Sequence, residues 1–202
     1  RAAFRARRTR ARAVGAGLAG GSTDGAAMFK GLRALFDLDL TDQTLIDLSM
    51  QIGSDLAFFF SSGSAIVTGR GEGLRDAVIA EPIHLCLILP EFGCPTGAVY
   101  RAFDELSPNA TVDLPAVERC VVDRPLEPFN DLAAPACRVQ PPLAELRSQI
   151  SDLTHRPVHI TGSGAGMFIV ASDAGEAAAM ALEISESMGI VVKAVASLAR
   201  PD

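Results

Sequence analysis

Residues 158–196 read VHITGSGAGMFIVASDAGEAAAMALEISESMGIVVKAVA. "VHIT" reads as a short strand, "GSGAG" (162–166) as a glycine-rich loop, and "MFIV" as a second, continuously apolar strand. A long amphipathic helix fits 174–188, and "IVVKAVA" closes as a strand. Adjacent strands followed by a helix and a further strand are the mark of a sheet layered with helices rather than of a helix bundle.

The same grammar extends upstream. "IHLCLILP" opens the unit as a buried strand, and helices fit 96–106 and, after Pro141 and Pro142, 143–154. The order β, α, α, β, β, α, β predicts an α+β fold with helices on one face of a sheet. Before it, a helix fits 22–36. Ser22 or Thr23 is the expected cap and Asp24 the first-turn acid, and Ala26, Ala27, Met28, Leu32, Leu35 and Phe36 form the apolar face. A second helix fits 41–52, capped by Thr41. "LAFFF" and "SAIVTG" read as two short strands joined by "SSG", and "EGLRDAVIAEP" as the crossing into the next unit. The expected organisation is an atypical, disordered Arg-rich segment at 1–13, one unit over 14–80 and another over 81–202.

The 202 residues are 49% apolar, enough for a substantial core, and the net charge is -6. Setting aside the six arginines of "RAAFRARRTRAR" leaves a remainder near -12. That balance argues against nucleic acid or an anionic membrane as the main partner. No run reaches the roughly eighteen apolar residues that a membrane helix needs. Cys86, Cys94, Cys120 and Cys137 are scattered, with no Cys-x-x-Cys pair, which fits a reducing cytoplasm.

Chemistry concentrates in two loops and one acid. "GAGLAGGSTD" (15–24) carries Gly15, Gly17, Gly20 and Gly21 and runs straight into a helix start, where unpaired N–H groups and the helix dipole favour an anion. It lacks the lysine of the Gly-x-x-x-x-Gly-Lys-Ser/Thr loop, so it reads either as a phosphate loop of another class or as a tight turn before a capped helix. "TGSGAGMF" reads either as a second ligand loop or as a hairpin turn. Asp55 in "GSDLAFFF" either caps backbone N–H groups or accepts a proton from an alcohol. Tyr100 in "CPTGAVYRAFD" is either core or a base-stacking ring, Asn130 and Asp131 cap a helix, and His84, His155 and His159 are dispersed core or surface residues with no metal-ligand spacing.

Five stretches in order, "GAGLAGGSTDGAA", "GSDLAFFF", "GRGE", "PTGAVYRAFD…FNDL" and "TGSGAGMF", resemble the GHMP small-molecule kinases, and within them the family that phosphorylates 4-diphosphocytidyl-2-C-methyl-D-erythritol. The resemblance runs from about residue 14 to the end. It implies transfer of the ATP γ-phosphate to the 2-hydroxyl of that substrate, in the non-mevalonate isoprenoid route. Val14, Gly15, Ala16, Gly17, Leu18, Ala19, Gly20, Gly21, Ser22 and Thr23 then wrap the ATP phosphates. Asp55 is the catalytic base, Thr96 and Tyr100 face the substrate, and Gly162, Ser163 and Gly164 close the phosphate side. ATP and Mg²⁺ are the implied cofactors, with no protein-held metal, and the implied partners are small molecules alone, bound by a monomer or weak homodimer. The implied fold pairs a half like domain 2 of a small-subunit ribosomal protein, incomplete here, with a ferredoxin-like half.

The chain departs from that pattern at its start. The family opens on a strand reading Ala-Lys-Ile-Asn-Leu, whose lysine sits beside the catalytic aspartate, yet the only lysines here are Lys30 and Lys193. The expectation is that 1–13 is not native kinase sequence and that this chain has little kinase activity. The other readings are a different kinase of the superfamily, of homoserine or mevalonate type, a non-catalytic ATP-binding protein, and a basic-tailed RNA binder.

Overall fold

The computed structural model describes residues 16–61, 63–77, 79, 81–107, 111, 113–122 and 127–197. The Arg-rich segment expected to be disordered, with Val14 and Gly15, lies outside them.

Helix α1 spans Gly20–Leu35 and α2 spans Asp42–Met50. The Thr41 hydroxyl caps α2 as expected, accepting from the Thr44 N–H at 3.1 Å. Arg33 ties the two helices together, reaching the Asp42 carboxylate at 2.5 Å and the Leu40 carbonyl at 3.3 Å. Both partners of the ion pair keep water contact, so its stabilisation is at most about 1 kcal/mol.

"LAFFF" is not a strand. Ser54–Phe60 forms a 3₁₀ helix. A short continuous apolar run carries no period, so sequence alone does not separate the two states. Here helices supply the burial. Leu56 and Ala57 are buried, Leu56 lies against α1 at Gly25, and Phe60 meets Phe29 edge-on at 6.5 Å. Lys30 of α1 donates to the Phe59 carbonyl at 2.7 Å and lies over the Phe60 ring.

Strand β1, Ala65–Thr68, is a strand as expected, but its partner comes from the stretch read as a crossing. Gly73–Asp76 forms β2 and pairs antiparallel with β1, Ile66 opposite Arg75. The turn between them is "GRGE", with Gly69 at φ +67° and Gly71 at φ +119°. Gly71 presses against the Ser54 carbonyl, where a Cβ would stand 2.7 Å from the oxygen. The hairpin turn therefore fixes the residue before Asp55.

The second sheet holds four antiparallel strands in the order β4, β5, β3, β6. They are β3 His84–Leu89, β4 His159–Ile160, β5 Met167–Ala171 and β6 Val191–Ala196. With α3 (Thr96–Leu106) and α6 (Pro141–Thr154) in the first connection and α7 (Ala174–Met188) in the second, this is the βαββαβ ferredoxin-like arrangement. Two further helices, α4 (Leu114–Val122) and α5 (Ala133–Val139), lie between α3 and α6; α4 is not read from the sequence, while α5 starts two residues after the helix start expected at Asn130 and Asp131. Alternation in β5 turns Met167, Ile169 and Ala171 into a core shared with Ile88, Leu143, Ile150 and Ile184. Each of the Met, Leu and Ile side chains among them contributes about 1.5–3 kcal/mol on burial.

Candidate functional site: two interlocked glycine loops

The first glycine loop ends in an uncapped helix. Ala19, at φ 46° and ψ 31°, turns the chain into α1 at Gly20, two residues earlier than the sequence suggests. Ser22 and Thr23 therefore lie inside the first turn and do not cap it. The Thr23 hydroxyl donates back to the Ala19 carbonyl at 3.1 Å, and no side chain caps α1. Asp24 falls beyond the first turn, which carries no acid. The Thr23 N–H closes on Ala19, so the amides of Gly20, Gly21 and Ser22 are the ones with no helical acceptor. Their positive end is left for an anion. At Gly21 a Cβ would meet nothing within 4 Å.

The second loop holds the first from behind. The Gly166 N–H donates to the Ala16 carbonyl at 3.1 Å, and the Thr161 hydroxyl donates to the Gly17 carbonyl at 3.1 Å. The backbones touch so closely that side chains are excluded. A Cβ on Gly17, at φ +66°, would lie 2.0 Å from the Thr161 carbonyl oxygen, and one on Gly166 would lie 2.4 Å from that of Ala16. The hairpin-turn reading of "GSGAG" is thereby insufficient: residues 144 positions apart are joined here.

Thr96, the first residue of α3, shares a 3.0 Å hydrogen bond with the hydroxyl of Ser163, which is 7% exposed. The second loop thus bridges the start of α1 and the start of α3. Tyr100 lies one turn further along α3 and is 52% exposed, so it is not a core ring. Gly162 and Gly164 take φ of +53° and +79°, and Gly164 packs over Cys94, Leu143 and Ile160.

Among the described residues, Asp55 is not hydrogen-bonded to either loop. It is exposed in the first turn of the 3₁₀ helix, and no side-chain cap is made there, so the capping reading fails. Its neighbour Leu56 packs on Gly25, which stands about 7 Å along the α1 axis from Gly20. The contact ties the residue after Asp55 to the first half of α1.

Sequence reasoning treats Thr161 as part of a strand and Asn130 as a cap, and both do more. Helix α5 has no side-chain cap, so the capping reading of Asn130 and Asp131 fails: Asn130 Oδ1 accepts from the Leu132 N–H at 2.9 Å in the turn before the helix, and its Nδ2 donates to the Ile160 and Gly162 carbonyls, each at 2.8 Å. The visible signal was only an amide side chain in a turn. His159 stacks on Phe168 at 5.3 Å. Its burial, with Arg147 nearby, pushes the imidazole pKa down, as suits a neutral packed histidine.

Comparison with known proteins bears on the family and the fold. Residues 9–71 match the GHMP kinases N terminal domain. The chain is 34% identical over 182 residues to a 4-diphosphocytidyl-2-C-methyl-D-erythritol kinase of Moorella thermoacetica, covering 86% of this chain and 64% of the relative. The chain thus spans under two thirds of the length of the curated relatives it matches. A crystal structure of 4-(cytidine 5'-diphospho)-2C-methyl-D-erythritol kinase superposes with a TM-score of 0.74 at 28% identity, covering 93% of this chain and 68% of that one. A homoserine kinase from Cytophaga hutchinsonii superposes with a TM-score of 0.68 at 13% identity, covering 94% of this chain and 68% of that one, a likeness of fold alone.

Proposed function

We propose that this chain is a GHMP kinase whose site transfers the γ-phosphate of ATP to the 2-hydroxyl of 4-diphosphocytidyl-2-C-methyl-D-erythritol, a reading supported by its match to the GHMP kinases N terminal domain and its likeness to the solved kinase. The observation that carries the reading is the uncapped, acid-free start of α1 held from behind by a second glycine loop. It supports a phosphate chain lying on the amides of Gly20, Gly21 and Ser22, with the hydroxyls of Ser22 and Thr23 alongside. Gly21 faces open space, so a phosphate can reach the backbone there.

Phosphoryl transfer needs alignment and charge neutralisation more than covalent help. The loop amides orient the nucleotide, and Mg²⁺ carried in with ATP supplies further neutralisation of the phosphates. The exposed Asp55 carboxylate takes the proton of the attacking hydroxyl. Thr96, already hydrogen-bonded to Ser163, and the exposed Tyr100 ring line the substrate side, the ring offering a stacking face to the cytosine. The closing loop, Gly162 to Gly164, faces the phosphates. The names of the relatives favour this substrate over homoserine or mevalonate. The protein acts in the cytoplasm as a monomer or weak homodimer. Among the described residues no helix is long and apolar enough to cross a membrane.

The test is a substrate panel. The chain is incubated with MgATP and the cytidine-diphosphate substrate, homoserine or mevalonate, and ADP release and nucleotide affinity are measured. ADP release with the first substrate alone supports the reading. Absence of nucleotide binding overturns it.

A further inference from the structure

Both glycine loops hang from one side chain outside them. Asn130 lies between α4 and α5, and its amide is oriented by the bond that Oδ1 accepts from the Leu132 N–H at 2.9 Å. With the oxygen engaged, Nδ2 faces the second loop, and its two hydrogens go to the Ile160 and Gly162 carbonyls at 2.8 Å each. Those carbonyls flank Thr161. The Thr161 hydroxyl holds the Gly17 carbonyl, and the Gly166 N–H holds the Ala16 carbonyl. A continuous set of hydrogen bonds therefore runs from Asn130 through residues 160–166 to Ala16 and Gly17. Three residues beyond Gly17, helix α1 begins.

We propose that Asn130 is a positioning residue for the nucleotide: by clamping the backbone on both sides of Thr161, it makes the second glycine loop the template on which Ala16 and Gly17 dock, and so aims the amides of Gly20, Gly21 and Ser22. The nucleotide clause rests on the proposed function. The clamp itself does not. The competing role is a plain turn in which the side chain accepts from the Leu132 N–H, for which an acceptor suffices and aspartate serves as well as asparagine. Two backbone carbonyls, by contrast, need a donor with two hydrogens, which a carboxylate lacks.

Asn130→Asp separates the two roles, with Asn130→Ala beside it. Amide hydrogen exchange of the full chain is read at Gly166 and at Gly17–Ser22, with Ile169 in β5 as the internal reference for global folding. MgATP affinity is read by titration. Loss of two hydrogen bonds predicts exchange at Gly166 faster by about tenfold or more in both variants, with Ile169 unchanged, and an ATP Kd weaker by about tenfold. The Asp variant should be no better than Ala, because its carboxylate then faces two carbonyl oxygens.

Thr161→Val keeps the clamp and cuts only the bond to Gly17. It should speed exchange in the first loop and weaken ATP binding with Asn130 intact. This keeps the idea testable should both Asn130 variants unfold. Wild-type exchange at Gly166 in the Asp variant overturns the clamp and leaves only the turn at Leu132. Faster exchange with unchanged ATP affinity overturns the positioning role. A wild-type chain that does not bind MgATP overturns the phosphate reading, and the nucleotide half of this proposal with it, even where the exchange effects appear.

Discussion

Gly21→Ala should make the protein more stable and a worse nucleotide binder. Gly21 is the second residue of α1, and a Cβ there would meet nothing within 4 Å. The free protein therefore gains no packing from having glycine at this position and loses backbone entropy by it. Replacing helical glycine with alanine yields up to about 0.5–1 kcal/mol. For a chain of this size that is a rise in Tm of about 1–4 °C. If phosphate oxygens sit on the first-turn amides, the new methyl group stands in their path, and ATP affinity should fall by about tenfold or more.

Gly31→Ala is the matched control. It lies in the same helix, also with nothing within 4 Å of a built Cβ, but three turns from the loop. It should give a similar stability gain with no change in binding. Thermal melts and ATP titrations on the three proteins decide the matter. A Gly21→Ala chain that is stabilised and binds ATP like wild type would refute a phosphate on these amides. A Gly31→Ala chain that also loses affinity would show that the effect belongs to the whole helix.

Three other measurements bear on the same picture. Gly17→Ala should destabilise by more than about 1–3 kcal/mol, since its Cβ would lie 2.0 Å from a backbone oxygen at a left-handed φ of +66°; an unchanged urea midpoint would show that the loops do not interlock. Asp55→Asn alters an exposed side chain with no hydrogen bond or ion pair among the described residues, so stability should move by no more than about 0.5 kcal/mol, while kcat relative to the unaltered chain falls about 10²–10⁴-fold; equal kcat would remove Asp55 from proton transfer. Burial pushes the Cys86 thiol from 9.0 to about 11. Between those values the unfolded chain sheds a proton that the folded chain keeps, so stability present below pH 9 declines towards pH 11, at up to about 1.4 kcal/mol per pH unit. Cys86→Ala should flatten that part of a denaturant-midpoint-against-pH curve.

What the sequence reveals and hides follows from the range of each interaction. Helices α3 and α7 are readable to the residue, at 96–106 and 174–188, because a proline ends the preceding loop in one case and Asp173 caps the other, accepting from the Glu176 N–H. Helix α5 is legible as a start near Asn130 and Asp131 but not in its extent, because Pro135 looks like a breaker yet occupies the first turn, where its missing N–H has no helical partner to lose. The 3₁₀ form of Ser54–Phe60 depends on Gly25 and Phe29, which lie outside the segment. Strand β2 is weakly apolar and owes its pairing to the two left-handed glycines of "GRGE", a hairpin signal that lies outside the strand itself. Each glycine loop is legible as a loop. Their union is not, because nothing local in "GAGLAGGSTD" points to Thr161.

That union also divides the glycines into two kinds. Gly17, Gly162 and Gly166 are required by the protein's own backbone, since built Cβ atoms would lie 2.0, 3.0 and 2.4 Å from carbonyl oxygens of the opposing loop. Gly21 answers to no such neighbour. If the first loop binds phosphate through its amides, as proposed, those amides must be held still, because the loop has no lysine to follow the charge. Here the first group of glycines gives that rigidity by allowing loop to lock on loop. The second keeps the approach to the helix start clear. If the locking glycines are altered, the amides lose their aim through loss of structure; if Gly21 is altered, the structure stays and the approach closes. The two kinds of lesion should therefore be distinguishable by stability alone, falling for the first and rising for the second, although both weaken nucleotide binding.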